Sequence, residues 1–231
     1  MNGITKTMRL DALRLISDGL LTIIALAVLP PFFGLLFRQM LGQGALDLLM
    51  GVIMAEIAMV TASLTMTMFV REDQNDHRRI NAILPVSRDT QVAGRYLLMF
   101  IVDIIAVTEF ALCVLLLAIL GTGAITQAAL MAGVGLFGAC MVTQAILMPL
   151  MYQFSSAKIA QIIVLIFMLL ICVALVGGFM LENQIAAIIA WLTTHIFVST
   201  LLTVLIAVAF VAAVVAASLS ISTRINRSKE L

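Results

Sequence analysis

Three carboxylates interrupt the long apolar runs of this chain: Glu56, Asp103 and Glu109. An acidic side chain at the centre of a membrane helix costs about 2.5–3.5 kcal/mol on insertion scales. Each should therefore face a cavity, a partner helix or a subunit seam. Such groups can contact a cation or polar substrate, or relay a proton. They can equally be structural, hydrogen-bonded to Thr61, Thr108 or Gln144 of a neighbouring helix, and both readings stay open. Glu109 lies deepest. Thr61, Ser63, Thr65 and Thr67 hydroxylate one half of the Glu56 run. They either line a wet path, with Thr61 and Thr65 as candidates beside the carboxylates, or bond back to their own helix.

Other chemistry is excluded by what is missing. No glycine is followed by lysine, so the phosphate-cradling G-x-x-x-x-G-K-[ST] loop is absent, as are H-E-x-x-H and G-x-S-x-G. His77 and His195 have no second ligand nearby, so no metal site is expected. Cys113, Cys140 and Cys172 sit in apolar runs without disulfide or ligand spacing and read as small buried hydrophobes. No catalytic residue, and no cofactor held by this chain, is expected.

The elements that position the carboxylates are set by a lipid solvent. The 231 residues are 63% hydrophobic and 11% charged, and the mean hydropathy is +1.20. A water-soluble domain is roughly half apolar and about a quarter charged. Six transmembrane helices are expected in one transmembrane domain, at residues 19–37, 48–70, 96–120, 128–151, 160–181 and 196–221. Runs of roughly 20 apolar residues cross a bilayer core, and their lack of period-two alternation excludes a β-barrel. The first run is read as a retained span, not a cleaved signal. Pro30 and Pro31 should kink it. Small residues (Gly51, Ala55, Ala58, Ala62; Gly133, Gly135, Gly138) suit close helix packing. Residues 185–192 are apolar but too short to span. They are either a re-entrant helix or an extension of a neighbouring span.

Twelve of the thirteen basic residues fall before span one, between spans two and three, between four and five, and after span six; Arg38 alone falls opposite. The positive-inside bias makes those segments, and both termini, cytoplasmic. Residues 4–18 read as an interfacial amphipathic helix on the inner face. Thr7, Asp11, Arg14 and Asp18 lie on one side, Leu10, Leu13, Ile16 and Leu20 on another, and Gly19 allows a bend into span one.

The polar break at 71–95 carries five arginines: Arg71, Arg78, Arg79, Arg88 and Arg95. A short helix with Ile80, Ile83 and Leu84 on its apolar side should end at Pro85. Ser87 should cap a second helix starting near Arg88, with Asp89 in its first turn. Exposed Ile80, Ile83, Leu84 and Val86 favour a partner surface over a plain solvated loop.

These residues carry a resemblance. Phe69, Val70, Arg71, Glu72 and Asp73, then Leu84, Pro85, Val86, Ser87 and Arg88, then Arg95, Tyr96 and Leu97 resemble the ABC-2-type permeases of bacterial ABC exporters. In that family an acidic pair follows span two, a Leu-Pro-x-Ser-Arg corner follows, and Arg-Tyr opens span three. Where many relatives place an aromatic before the corner, this chain has Asp76, His77, Arg78 and Arg79. The resemblance implies a half-transporter in the bacterial plasma membrane that pairs with a second permease subunit, as a homo- or heterodimer. It also implies a cytoplasmic coupling helix in the 71–95 loop that docks a separate ATPase subunit, on which ATP and Mg would be bound. Glu72, Asp73, Arg78, Arg79, Ile80, Ile83, Leu84, Pro85, Val86, Ser87 and Arg88 would form the docking surface, and residues 1–18 would be the family's interfacial elbow. The cargo expected of so apolar an interior is amphipathic or hydrophobic: a peptide, an antimicrobial, a lipid-like molecule or a drug. Two alternatives remain: a stand-alone proton-coupled carrier using Glu56, Asp103 and Glu109, and a membrane protein of immunity or assembly that transports nothing. No nucleic-acid partner is expected.

Overall fold

A computed structural model describes residues 3–41, 46–73, 86–119, 127–155, 158–159, 161–162 and 200–228. They are almost wholly helical. Five long helices account for them: α1 (Gly3–Leu41), α2 (Leu46–Asp73), α3 (Arg88–Ile119), α4 (Gln127–Gln153) and α5 (Thr200–Ser228). Within α2 to α5 lie four stretches long and apolar enough to cross a membrane. They coincide with the second, third, fourth and sixth expected spans, and the first falls within α1. The fifth span, beyond residue 162, and residues 185–192 lie outside the described residues.

α3 shows why this chain needs lipid. Its buried face carries Arg95 and Asp103 beside Val92, Met99, Ala106 and Phe110. Its outer face presents Ile104, Ile105, Leu112 and Ile119, between 46% and 76% exposed. Polar groups point in and aliphatic ones point out. In a bilayer that sorting satisfies the polar groups against other helices. At 32 residues, α3 is about 48 Å long against a hydrocarbon core of about 30 Å. Its ends must project into the polar zones.

α3 is also the hub, packing against each of the other four described helices. The start of α1, the root of the α2–α3 connection and the end of α5 lie together. Val86 packs on Gly3, and Arg88 reaches the Asn226 carbonyl at 3.0 Å. Both described ends of the chain thus share one face of the bundle. This end, rich in arginine, is called the basic end below.

α1 departs from expectation. It runs unbroken from Gly3 to Leu41 through Gly19, so no bend separates an interfacial elbow from span one. A helix-interior glycine costs only about 1 kcal/mol, which the packing of α1 on α2 and α3 outweighs. Its faces are also reversed: Thr7 and Asp11 are buried, while Leu13 and Ile16 are more than half exposed. The side that carries Thr7 and Asp11 packs on α3. Gly94 makes that approach possible. A Cβ there would run into Thr7 Oγ1 and sit 3.2 Å from Thr7 Cβ and 3.3 Å from the Ile4 carbonyl oxygen. Among the small residues, Gly133 lies against Phe110 and Gly138 against Val211, whereas Gly51 and Gly135 meet no described neighbour.

Candidate functional site

Arg95 is the centre of the basic end. The sequence places it among the loop arginines, but it is 5% exposed and belongs to the core. Its Nε donates to Asp11 Oδ2 at 3.2 Å, and its Nη2 lies 2.5 Å from Glu72 Oε2. Nη1 donates to the Tyr152 hydroxyl at 3.3 Å. The guanidinium carbon sits 4.8 Å from the Phe69 ring centre and 5.5 Å from that of Tyr152, and the two rings meet edge-on at 5.1 Å. Arg14 bonds the other Asp11 oxygen at 3.0 Å. One planar cation therefore holds α1, α2, α3 and α4 at a single point, using the fork geometry and ring stacking that distinguish arginine from lysine. Two carboxylates and a phenol offset its removal from water.

α5 joins through the next residue. The Tyr96 hydroxyl lies 2.5 Å from Ser218 Oγ and 2.8 Å from Ser222 Oγ, and Ser218 donates to the Ala145 carbonyl of α4. At the exposed start of α3, Ser87 caps as expected: its Oγ accepts from the Thr90 amide at 3.3 Å. Arg227 Nε donates to Asp89 Oδ1 at 2.8 Å, with a second contact from Nη2 to Oδ2. That guanidinium holds the Asp89 carboxyl below its ordinary range. The group is ahead of the apolar part of α3, in the polar zone.

Of the expected docking residues, Glu72 is committed to Arg95. Asp73 is the last residue of α2. Val86 packs on Gly3, Ser87 caps α3, and Arg88 bonds the carbonyls of Asn226 and Arg227. Arg78, Arg79, Ile80, Ile83, Leu84 and Pro85 lie outside the described residues.

From Arg95 a polar seam rises between α2, α3 and α4. The two helices run antiparallel, so their pairings step in opposite directions: Glu72 with Arg95, then Thr65 with Met99 (Oγ1 to Sδ, 3.1 Å). The fully buried Asp103 comes next. Its Oδ1 accepts from Gln144 Nε2 of α4 at 2.8 Å. Cys140, near Asp103, also meets the Thr61 hydroxyl of α2. Highest are Glu56 and Glu109, close enough to interact electrostatically with one another and with Cys113.

Asp103 thus pairs with Gln144, and the hydroxyls bond within their own helices. Thr61, Ser63, Thr65, Thr67 and Thr108 all donate back to carbonyls of their own helices. Both Glu56 carboxyl oxygens, Glu109 Oε1 and Asp103 Oδ2 are buried without a hydrogen-bond partner among the described residues. A separate groove of about 530 Å³ lies between α3 and α4, lined by Val107, Phe110, Val114, Leu115, Val134 and Phe137 among others. Its lining is apolar, and none of the three carboxyls is part of it.

A family model described as ABC-2 family transporter protein matches residues 10–226. The chain belongs to the ABC-2 family of transporter proteins. The matched region contains the Arg95 cluster and all three seam carboxyls. A search of curated proteins gives no match. The chain is accordingly a membrane protein of a transporter family, with the helices, the Arg95 knot and the carboxyl seam on one continuous body.

Proposed function

We propose that this ABC-2 family protein is the transmembrane half of an ATP-driven exporter. It forms its substrate path with a second permease subunit and is driven by separate ATPase subunits docked on the 71–95 loop. The observation that supports this most is the Arg95 knot. It sits at the root of the α2–α3 connection and ties four helices together, with Tyr96 adding the fifth. A force applied to that connection cannot move α2 or α3 alone. Glu72 and Arg95 pass it to α1 through Asp11 and to α4 through Tyr152. That is the linkage needed for a soluble motor to switch a bundle between two arrangements.

In this reading the basic end is cytoplasmic, as the positive-inside bias requires, and the protein lies in the bacterial plasma membrane. ATP and Mg act on the partner, because this chain lacks a phosphate-cradling loop. The test is purification from native membranes with identification of bound proteins. A P-loop ATPase should co-purify, and Leu84→Asp should release it without loss of the permease. If no P-loop protein is captured, or capture is indifferent to Leu84→Asp, the docking assignment fails. Labelling of Ser87→Cys by a membrane-impermeant maleimide in intact cells would reverse the orientation and end the proposal.

A stand-alone proton-coupled carrier is the second reading. The Glu56, Asp103 and Glu109 oxygens without a partner among the described residues favour it. It requires transport in vesicles that persists without nucleotide and collapses with the proton gradient.

A further inference from the structure

Three helix ends meet at the tip of the basic end, and the last described turn of the chain is one of them. Arg88, at the start of α3, donates from Nη1 to the Asn226 carbonyl at 3.0 Å and to the Arg227 carbonyl at 3.4 Å. Asn226 Nδ2 donates back to the Arg88 carbonyl at 3.4 Å. The Asp89 carboxylate takes the Arg227 guanidinium through both oxygens, and Val86 packs on Gly3 of α1. A cation on the last carbonyls of a helix is a favourable cap. The end of α5 is therefore fastened, residue on residue, to the corner that leads out of the 71–95 loop. The family resemblance offers Arg88 to a partner; its guanidinium is turned onto α5, so Arg88 positions the α5 end.

Depth decides whether lipid or protein meets this tip. The apolar part of α3 begins at Tyr96, and Arg88 lies about 12 Å further out along the axis. The polar zone on each side of a hydrocarbon core is only about 5–8 Å deep. Tyr96 bonds Ser218 and Ser222, which puts Ile221 of α5 at the same level, 51% exposed as a lipid-facing side chain should be. Arg224, Arg227 and Ser228 are exposed on the turns that follow, from about 5 to about 10 Å further out. Headgroups reach Arg224; Arg227 and Ser228 stand where a soluble protein meets them.

A stable interface covers about 800 Å² of each partner, some 20–30 residues. The 71–95 loop cannot supply that on its exit side, because Val92, Gly94 and Arg95 are buried. A protein seated on the exposed Ser87 must also cover groups held within hydrogen-bond distance of Arg88. On the first turn of α3 and the last turns of α5, three guanidinium groups, those of Arg88, Arg224 and Arg227, face one carboxylate, Asp89, which Arg227 already holds. We propose that the end of α5 is a second element of the ATPase docking surface, with Arg224, Arg227 and Ser228 seated against an acidic face of that subunit. The inference rests on the exporter reading and enlarges its docking site from a loop to a loop clamped on α5.

The test places the photo-crosslinking residue p-benzoylphenylalanine at Arg224 or at Ser228 of the full-length protein in native membranes and identifies what each position captures. Val208, 57% exposed on the apolar length of α5, is the control. The expected result is a P-loop ATPase attached at 224 and 228 and not at 208. Charge is tested separately: Arg224→Glu should retain about ten-fold less ATPase than the unmutated protein, and Arg224→Lys about as much. Thermal unfolding reports whether each variant is folded, and if Arg224→Glu is not, crosslinking at Ser228 decides alone. If the ATPase is captured with the permease while 224 and 228 label only lipid or a second copy of this chain, the α5 end is not part of the docking surface. Full retention of the ATPase by folded Arg224→Glu overturns the acidic-face assignment in the same way. In both cases the exporter reading stands on the loop by itself. If no P-loop protein is captured at all, the exporter reading falls and this surface with it.

Discussion

Replacing Arg95 by methionine should be the most damaging single change at the basic end. The substitution keeps an unbranched, buried side chain but removes the shared cation from Asp11 and Glu72, and the donor from the Tyr152 hydroxyl. Breaking a buried ion pair by deleting one partner typically costs about 3–5 kcal/mol, because the remaining charge is left in a low-dielectric site. For a chain of this length each kcal/mol moves the midpoint by about 2–4 °C. The expected drop in Tm is therefore about 6–20 °C, read by loss of the monodisperse peak after heating in detergent. The cause can be isolated. Adding Asp11→Asn and Glu72→Gln removes the charges that the mutation strands, so the triple variant should regain at least half of the loss. Arg95→Lys should lie between, since an ammonium cannot meet two carboxylates and stack on Phe69 and Tyr152 together. A shift below about 2 °C for Arg95→Met, or a triple variant no more stable than the single one, would refute the claim that stranded charge sets the cost.

Gly94→Ala should destabilise by about 1–3 kcal/mol, the usual cost of overpacking, because the new methyl meets Thr7 and the Ile4 carbonyl. Adding Thr7→Ala should recover part of this, as thermal unfolding of the pair will show. Tyr96→Phe removes a hydroxyl shared by Ser218 and Ser222 and should cost about 1–3 kcal/mol; little change in unfolding would mean that α5 is held without it. Asp89 owes its lowered pKa to the folded state, so its contribution is present above the ordinary carboxylate range and is lost as pH falls through the lowered value. Acidification, or Asp89→Asn at neutral pH, should free the end of α5, read as increased mobility of a spin label at Ser228→Cys.

Much of this was legible because lipid imposes a simple rule on length. The four spans within α2 to α5 follow from apolar runs, the Ser87 cap from local chemistry, and family membership from the acidic pair, the Leu-Pro-Val-Ser-Arg corner and the Arg95–Tyr96 pair. Two placements needed the tertiary structure. Residues 4–18 read as an amphipathic helix with two sides, and the packing on α3 turns Thr7 and Asp11 inward and Leu13 and Ile16 outward. Arg95 read as a loop arginine and is buried. Its partner Asp11 lies 84 positions away, and no local pattern could pair them. The one hint was the spacing of Arg95, Met99 and Asp103, which puts all three on one α3 face.

That face connects the docking loop physically to the seam carboxyls. α2 and α3 form a hairpin whose closed end is the 74–85 connection. Its rungs run from Glu72 and Arg95, through Thr65 and Met99, to Glu56 and Glu109. The distance from the first rung to the last is about 21 Å of helix. Helices transmit displacement along their axes with little compression, whereas side-chain packing between them admits discrete slips. If a docked ATPase shifts the closed end, the carboxyl rung need not open uniformly. The register of Glu56 against Glu109 changes. A crosslink that fixes the middle rung, such as Thr65→Cys with Met99→Cys, should therefore leave ATPase capture intact while abolishing ATP-driven transport. If the crosslinked protein still transports on nucleotide addition, the hairpin is not the lever, and coupling must travel through α1 or α4.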